Sequence, residues 1–189
     1  MLITKALLVE NEACRDQIEL FEKFLDGAES IEATPENVQR AYAFGLNVVW
    51  TFELLGLNFS GMLEDNGYQT WYQNGKLHRT DGPAIIYSDG TKYWYLNGKY
   101  HRTDGPAAIY PDGSEHWYQN GKYHRTDGPA AICLDGSQAW WLNGELHRED
   151  GPAIIYSDGT KHYYLNDELL TEEEHCLRIR PIAAPQGTS

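Results

Sequence analysis

Positive charge is what this chain has least of. Its 189 residues carry 15 Lys and Arg against 28 Asp and Glu, a formal net charge of -13. That balance disfavours electrostatic capture of nucleic acid or of anionic membranes, so neither direct nucleic-acid binding nor a membrane partner is expected. No run of about 18 apolar residues is present to cross a bilayer. The opening "MLITKALLVENEAC" has an apolar stretch too short, and broken by Lys5, for a secretory signal, so a cytoplasmic location is expected. The three cysteines, Cys14, Cys133 and Cys176, lie far apart and match no metal-ligand spacing, which points to free thiols. No G-x-S-x-G, H-E-x-x-H, P-loop or dinucleotide fingerprint occurs. The expectation is a protein with no cofactor and no enzymatic activity.

What remains is ordinary for a soluble domain, with 41% hydrophobic and 23% charged residues. The acidity is uneven. Residues 1–68 hold 12 acids and 4 bases, residues 69–166 hold 11 and 9, and residues 167–189 hold 5 and 2. Most of the negative charge therefore belongs to the N-terminal part.

That part, residues 1–58, reads as a helical domain. In "NEACRDQIELFEKFLDG", Cys14, Ile18, Phe21 and Leu25 share one helical face, Asn11 is placed as the N-cap, and Gly27 as the stop. In "TPENVQRAYAFGLNVVWTFELLG", Thr34 caps, Pro35 takes the first helical position and Gly56 ends a second helix. Its Val38, Tyr42, Val49, Trp50, Phe52 and Leu55 supply a face to pack on the first. All five phenylalanines, at 21, 24, 44, 52 and 59, fall in or beside this part, which gives it a core of its own.

From Trp71 the pattern changes to a 23-residue period, marked by Trp71, Trp94, Trp117, Trp140 and Tyr163. Asn-Gly recurs at Asn74, Asn97, Asn120 and Asn143, and Asp-Gly at Asp89, Asp112, Asp135 and Asp158. Both dipeptides are read as supplying the positive φ angles of tight hairpin turns between short apolar stretches such as "PAIIY" and "KYWYL". Each copy is then two or three short antiparallel strands. Asn66-Gly67 marks a degenerate first copy starting near Ser60. "LNDELL" replaces the Asn-Gly turn at the other end, and Thr171 with Glu174 offers a capping box for a closing helix. The protein divides into an acidic helical domain (1–58), a β-repeat domain (59–166), and a capping helix with a frayed tail (167–189). The fold class is α+β.

Each repeated column can be given a job. Ile86, Ile109, Ile132 and Ile155 are placed in the core. The Trp column and the adjacent column of Tyr72, Tyr95, Tyr118, Trp141 and Tyr164 must face opposite sides of a strand. A large aromatic buries about 200 Å², worth roughly 5 kcal/mol gross, so the Trp column is expected to hold neighbouring copies together. The Tyr column, with Tyr93, His116 and His162 beside it, is the candidate exposed face. Asp81, Asp104, Asp127 and Asp150 precede Gly-Pro, where they can bond the turn while Arg79, Arg102, Arg125 and Arg148 pair with acids. The alternative job is an Arg-His stripe gripping an anionic ligand. His78, His101, His124 and His147 recur every two strands, about 10 Å apart, too far to share a metal ion whose ligands lie within about 4 Å of one another.

The stretch "YLNGKYHRTDGPAAIYPDGS" resembles the MORN-repeat family and its bacterial and phage relatives, whose 23-residue units also run through N-G-K and D-G-S. The resemblance covers residues 60–166. It implies an antiparallel β-repeat array used for protein contacts, and in some members for lipid binding or antitoxin-like inhibition. "DGTKYWYLNGK" also looks like the aromatic hairpins of choline- and glucan-binding cell-wall repeats, which implies aromatic cages or sugar platforms.

The functional expectation is a module that binds and occludes another protein. In one version it is a phage or bacterial inhibitor whose acidic helical face mimics nucleic acid and blocks a DNA- or RNA-binding partner. The candidate partner-binding residues are Tyr72, Tyr95, Tyr118, Trp141, His101, Arg102, His124 and Arg125. The competing expectation is a small-ligand module for a sugar, quaternary amine or nucleotide at the same columns. Edge strands at the array's ends permit a homodimer.

Overall fold

The computed structural model describes residues 2–11, 13–54 and 59–179, and the protein is α+β. It divides into two compact units, one running to Lys99 and one from Tyr100.

In the first unit, Leu2–Thr4 pairs antiparallel with Ser30–Glu32, an interaction the sequence pattern does not announce. Helix α1 (Lys5–Glu10) starts on Thr4, whose hydroxyl accepts from the Leu7 amide at 3.1 Å. Asn11, expected to begin a helix, instead closes α1 as its C-cap, and α2 (Arg15–Leu25) begins after Cys14, whose side chain makes no capping bond. Local composition favoured Asn as a starter. The Asn11 side-chain amide donates to the Leu7 carbonyl at 2.8 Å and so finds its partner in the preceding turn. Helix α2 ends as expected, with Asp26 and Gly27 both at positive φ.

Thr34 caps the next helix through the Asn37 amide, with Pro35 in its first turn. The single helix expected over 34–56 is two, α3 (Pro35–Ala43) and α4 (Val48–Leu54). Gly45, at φ +99°, donates to the Tyr42 carbonyl while Leu46 donates to the Ala41 carbonyl, the paired bonds of a Schellman stop. Burial of Leu46, 5% exposed, secures the break. Leu55 and Gly56 lie outside the described residues. Ile3, Leu8, Phe21, Val38, Leu46, Val48, Phe59 and Leu63 form one core, and Phe52, Phe59 and Tyr72 continue it edge to edge at 5.5 and 5.7 Å. Gly61–Asp65 and Tyr68–Gln73 form the hairpin expected at Asn66-Gly67. Tyr68–Gln73 then pairs with Ile85–Ile86, which pairs with Lys92–Tyr93.

In the second unit the repeats run as an antiparallel meander: Ala108–Ile109, Glu115–His116, Ala131–Ile132, Gln138–Ala139, Ile154–Ile155, Lys161–Leu165 and Glu168–Leu170, each bonded to the next. A second hairpin branches from each copy, Tyr118–Gln119 with Lys122–Tyr123 and Trp141–Leu142 with Glu145–Leu146. Each of these copies thus holds four two-residue strands rather than two or three.

The two turn types differ physically. At Asn120-Gly121 both residues have positive φ (+53° and +82°), but at Asp112-Gly113 only the glycine does (+89°). Tyr110 and Ser114 close that second turn, and the Asp112 carboxylate accepts from the Ser114 amide at 2.8 Å. It is a three-residue loop with a glycine bulge, selected by the Asp side chain rather than by Asp tolerating left-handed backbone.

The isoleucine column is half-buried. The fully enclosed position is the alanine two residues earlier: Ala107, Ala130 and Ala153 are each 0% exposed. Period-two alternation puts Ala and Ile on one face, and the tertiary packing decides which of the two is enclosed. Thr171 and Glu174 exchange the expected capping-box bonds ahead of α5 (Glu172–Ile179). From α5, His175 (1% exposed) bonds the Arg148 carbonyl through Nε2 at 2.7 Å and packs on Tyr163, the residue at the Trp position of the last copy. Residues 180–189, including the tail, lie outside the described residues.

Candidate functional site

The arginine of each His-Arg-x-Asp-Gly-Pro segment is spent within its own loop. Arg125 donates from Nε to Asp127 at 2.7 Å and from Nη1 to the Pro129 carbonyl at 3.2 Å, and its guanidinium lies 4.0 Å above the Trp117 ring. Arg148 repeats this with Asp150, Pro152 and Trp140, and Arg79 with Asp81, Pro83 and Trp71. Arg102 holds Asp104 and Pro106 in the same way. A glycine lies beneath the guanidinium: a Cβ on Gly105 would come within 2.9 Å of the Arg102 Cζ and one on Gly128 within 3.0 Å of the Arg125 Cζ, so a side chain there would push the clamp off its seat. The tryptophan face expected to bridge neighbouring copies is therefore covered, in these loops, by the arginine of the same copy.

The hydrogen bond and then the charge of the arginine hold the Asp81, Asp104 and Asp127 carboxyls below the usual carboxylate range, and the Arg148 bond does the same for Asp150. Their carboxylates nevertheless face solvent, each about four-fifths exposed. Ionised, fixed and accessible, Asp104, Asp127 and Asp150 recur as exposed carboxylates on the second unit, each paired with the arginine of its own loop.

The histidine of the segment reaches forward to the next turn. His101 Nδ1 accepts from the Asn120 amide at 3.2 Å, His124 from Asn143 at 3.1 Å and His147 from Asn166 at 3.3 Å. In the first unit His78 accepts from Asn97 at 3.2 Å. The same Nδ1 of His78, His101 and His147 also lies 3.0, 3.1 and 2.8 Å from the side-chain oxygens of Asn97, Asn120 and Asn166, so these histidines meet both polar groups of the asparagine and the ring tautomer sets which one they bond. At the opposite turns, Ser114 Oγ accepts from the Leu134 amide and Ser137 Oγ from the Ser157 amide. Successive copies of the second unit are thus fastened at both kinds of turn.

The aromatic column is half-buried and stacked. Tyr118 lies 4.9 Å from Tyr100 and 4.1 Å from Tyr123, and Tyr123 lies 5.5 Å from Trp141. Tyr123 thereby brings Tyr118 and Trp141 into one ladder, and burial raises the Tyr118 and Tyr123 phenols above their ordinary value. His116 joins from the side, its Nδ1 3.2 Å from the Tyr123 hydroxyl, with burial lowering its pKa. Tyr72 packs on Phe59 in the first unit, and Tyr95 is half-buried there.

Of the candidate residues, Tyr118 and Trp141 share a ladder, His101 and His124 serve as turn acceptors, and Arg102 and Arg125 serve as loop clamps. Tyr100 and Tyr123 were not singled out, although their recurrence one place after Asn-Gly-Lys carries the signal. Equally unannounced is an open groove of about 640 Å³ in the second unit, between residues 125–128 and 147–150. Arg125, Asp127, Trp140, His147, Arg148 and Asp150 line it. Among the described residues no group of three His, Cys, Asp or Glu is placed to hold a metal ion, and no helix is long and apolar enough to cross a membrane. No protein-family model matches the sequence, and no curated protein matches it.

Proposed function

We propose that the protein is a non-enzymatic interaction module that binds and occludes another protein, in the manner that the MORN-like reading implies. One observation carries this. In all four copies the arginine and aspartate are committed to their own loop, and the histidine takes its bond from the following turn, so the repeats supply scaffold instead of reactive groups. What the second unit leaves outward is the solvent-facing side of the arginine-paired Asp104, Asp127 and Asp150 carboxylates, with the half-buried aromatic ladder beside the branched hairpins. A basic partner surface complements such carboxylates, with affinity that falls as salt rises. The acidic helical domain, residues 1–58, adds charge of the same sign, and the version in which it mimics nucleic acid assigns it a nucleic-acid-binding protein as target. We place the module in the cytoplasm.

The test is capture from a native lysate with the full-length protein as bait, followed by mass spectrometry at low and high salt. A basic partner lost at high salt, and lost again with Asp104, Asp127 and Asp150 all changed to Asn, is the expected result. Capture that ignores both salt and the triple substitution would exclude these carboxylates. The second reading, a small-ligand module, is favoured by the groove beside Trp140. Calorimetry with saccharides, quaternary amines and nucleotides that gives no heat would remove it.

A further inference from the structure

Five Asn-Gly dipeptides occur in the sequence, at Asn66, Asn74, Asn97, Asn120 and Asn143. All five asparagines share the left-handed backbone conformation, with φ between +49° and +55°. Conformation therefore does not tell them apart, but their hydrogen bonds do. Gly75 donates its amide to the Phe59 carbonyl at 2.7 Å, Gly98 to Leu77 at 2.8 Å, Gly121 to Tyr100 at 2.8 Å and Gly144 to Tyr123 at 2.9 Å. The preceding asparagine amides are held too, Asn74 by the Ser60 hydroxyl at 2.8 Å and Asn97, Asn120 and Asn143 by a histidine. Asn66 and Gly67 are both exposed, and among the described residues neither amide donates a bond of this kind.

We propose that Asn66 is a self-modification site, the one Asn-Gly of the folded protein open to spontaneous deamidation. The nucleophile is the backbone nitrogen of Gly67. After losing its proton to solvent base, it attacks Cγ of Asn66, the carbonyl carbon of the side-chain amide. The new bond from nitrogen to Cγ closes a succinimide as the bond from Cγ to Nδ2 breaks, and Nδ2 leaves as ammonia. Water then adds to either imide carbonyl and reopens the ring as aspartate or isoaspartate. No oxidant or reductant is involved. An amide already donating to a carbonyl resists deprotonation for the reason that it resists hydrogen exchange: the bond must open first. The four fastened turns carry that opening cost at the glycine, and the second bond, at the asparagine amide, restrains the turn against the rotation that brings the glycine nitrogen onto Cγ. Exposure does not explain the difference, because Gly98 and Gly121 are exposed and yet bonded. The product adds a carboxylate at the tip of the Gly61–Asp65/Tyr68–Gln73 hairpin, and the isoaspartyl form lengthens the backbone inside a two-residue turn.

The experiment is incubation of the full-length protein at mildly alkaline pH, with peptide mapping by mass spectrometry that separates aspartate from isoaspartate. Asn66 should deamidate roughly tenfold or more faster than each of the other four, the ratio expected for two hydrogen bonds of ordinary net strength. In concentrated urea the five rates should converge. His124→Ala should raise the rate at Asn143 and leave Asn66 unchanged. Equal rates at all five sites in the folded protein, or a rate at Asn66 below the others, would overturn the proposal.

Discussion

The helical part of the first unit and the repeats of the second are stabilised by different means. Around Phe21 and Leu8 the interior is built from large side chains, each used once, and the aromatic contacts among Phe52, Phe59 and Tyr72 have no second copy. In the repeats the enclosed side chain is only a methyl group, and the guanidinium clamp, the His-to-Asn bond and the Ser-to-backbone bond do the fastening, copy after copy. A core of large side chains concentrates its stability in a few residues, whereas a polar-fastened array spreads it along its length.

Substitutions should separate the two regions. Phe21→Ala, at 4% exposure, should cost about 3–5 kcal/mol in chemical denaturation, because it combines lost transfer energy with a cavity. Ala130→Leu, at 0% exposure, should cost about 1–3 kcal/mol by overpacking. A neutral result there would mean that the loops around Ala130 yield, and the contrast between rigid array and packed core would weaken. Arg125→Ala removes one ring contact and one carbonyl bond, for about 1–2 kcal/mol after allowing for the exposed Asp127. Its neighbours should keep their hydrogen-exchange protection if the copies are fastened independently. His124→Ala, which strips only the acceptor of the Asn143 amide, should cost about 0.5–1 kcal/mol.

The smallest effect is the pH dependence of the clamps. Asp104, Asp127 and Asp150 have folded pKa values below their unfolded ones, so the unfolded state takes up protons first as pH falls. Their contribution is complete above the ordinary carboxylate value, about 4, and is lost as pH falls through the lower folded values. Urea midpoints followed by near-ultraviolet circular dichroism should show an acid limb that Arg125→Ala shallows. An unchanged limb would show that Asp127 does not depend on its arginine.

Much of this was legible because it is local. Thr34 with Pro35, Thr171 with Glu174, and the Asn-Gly turns act through atoms within a few residues, and each does what its type predicts. The misread elements all turn on a competing partner. Asn11 bonds backward to Leu7, Gly45 is followed by a Leu46 that buries and completes the helix stop, and Asp112 serves its turn through its carboxylate. The Arg-to-Asp pairing within one loop was readable from a two-residue spacing. The groove beside Trp140 was not, since it is assembled from loops of two successive copies, Arg125 and Asp127 in one and Arg148 and Asp150 in the next.

By itself the sequence determined the period, the turns and the residues that recur, because these follow from backbone preferences and from the spacing of like side chains. The tertiary structure alone decided which recurring residues are enclosed and which bonds they make. Alanine lies deeper than isoleucine because depth depends on how the copies pack together, which no single copy encodes, and arginine covers tryptophan because folding brings the start and the middle of one copy face to face. The same rule separates Asn66 from the other Asn-Gly turns: identical dipeptides, distinguished by whether another segment of the protein supplies an acceptor for their amides.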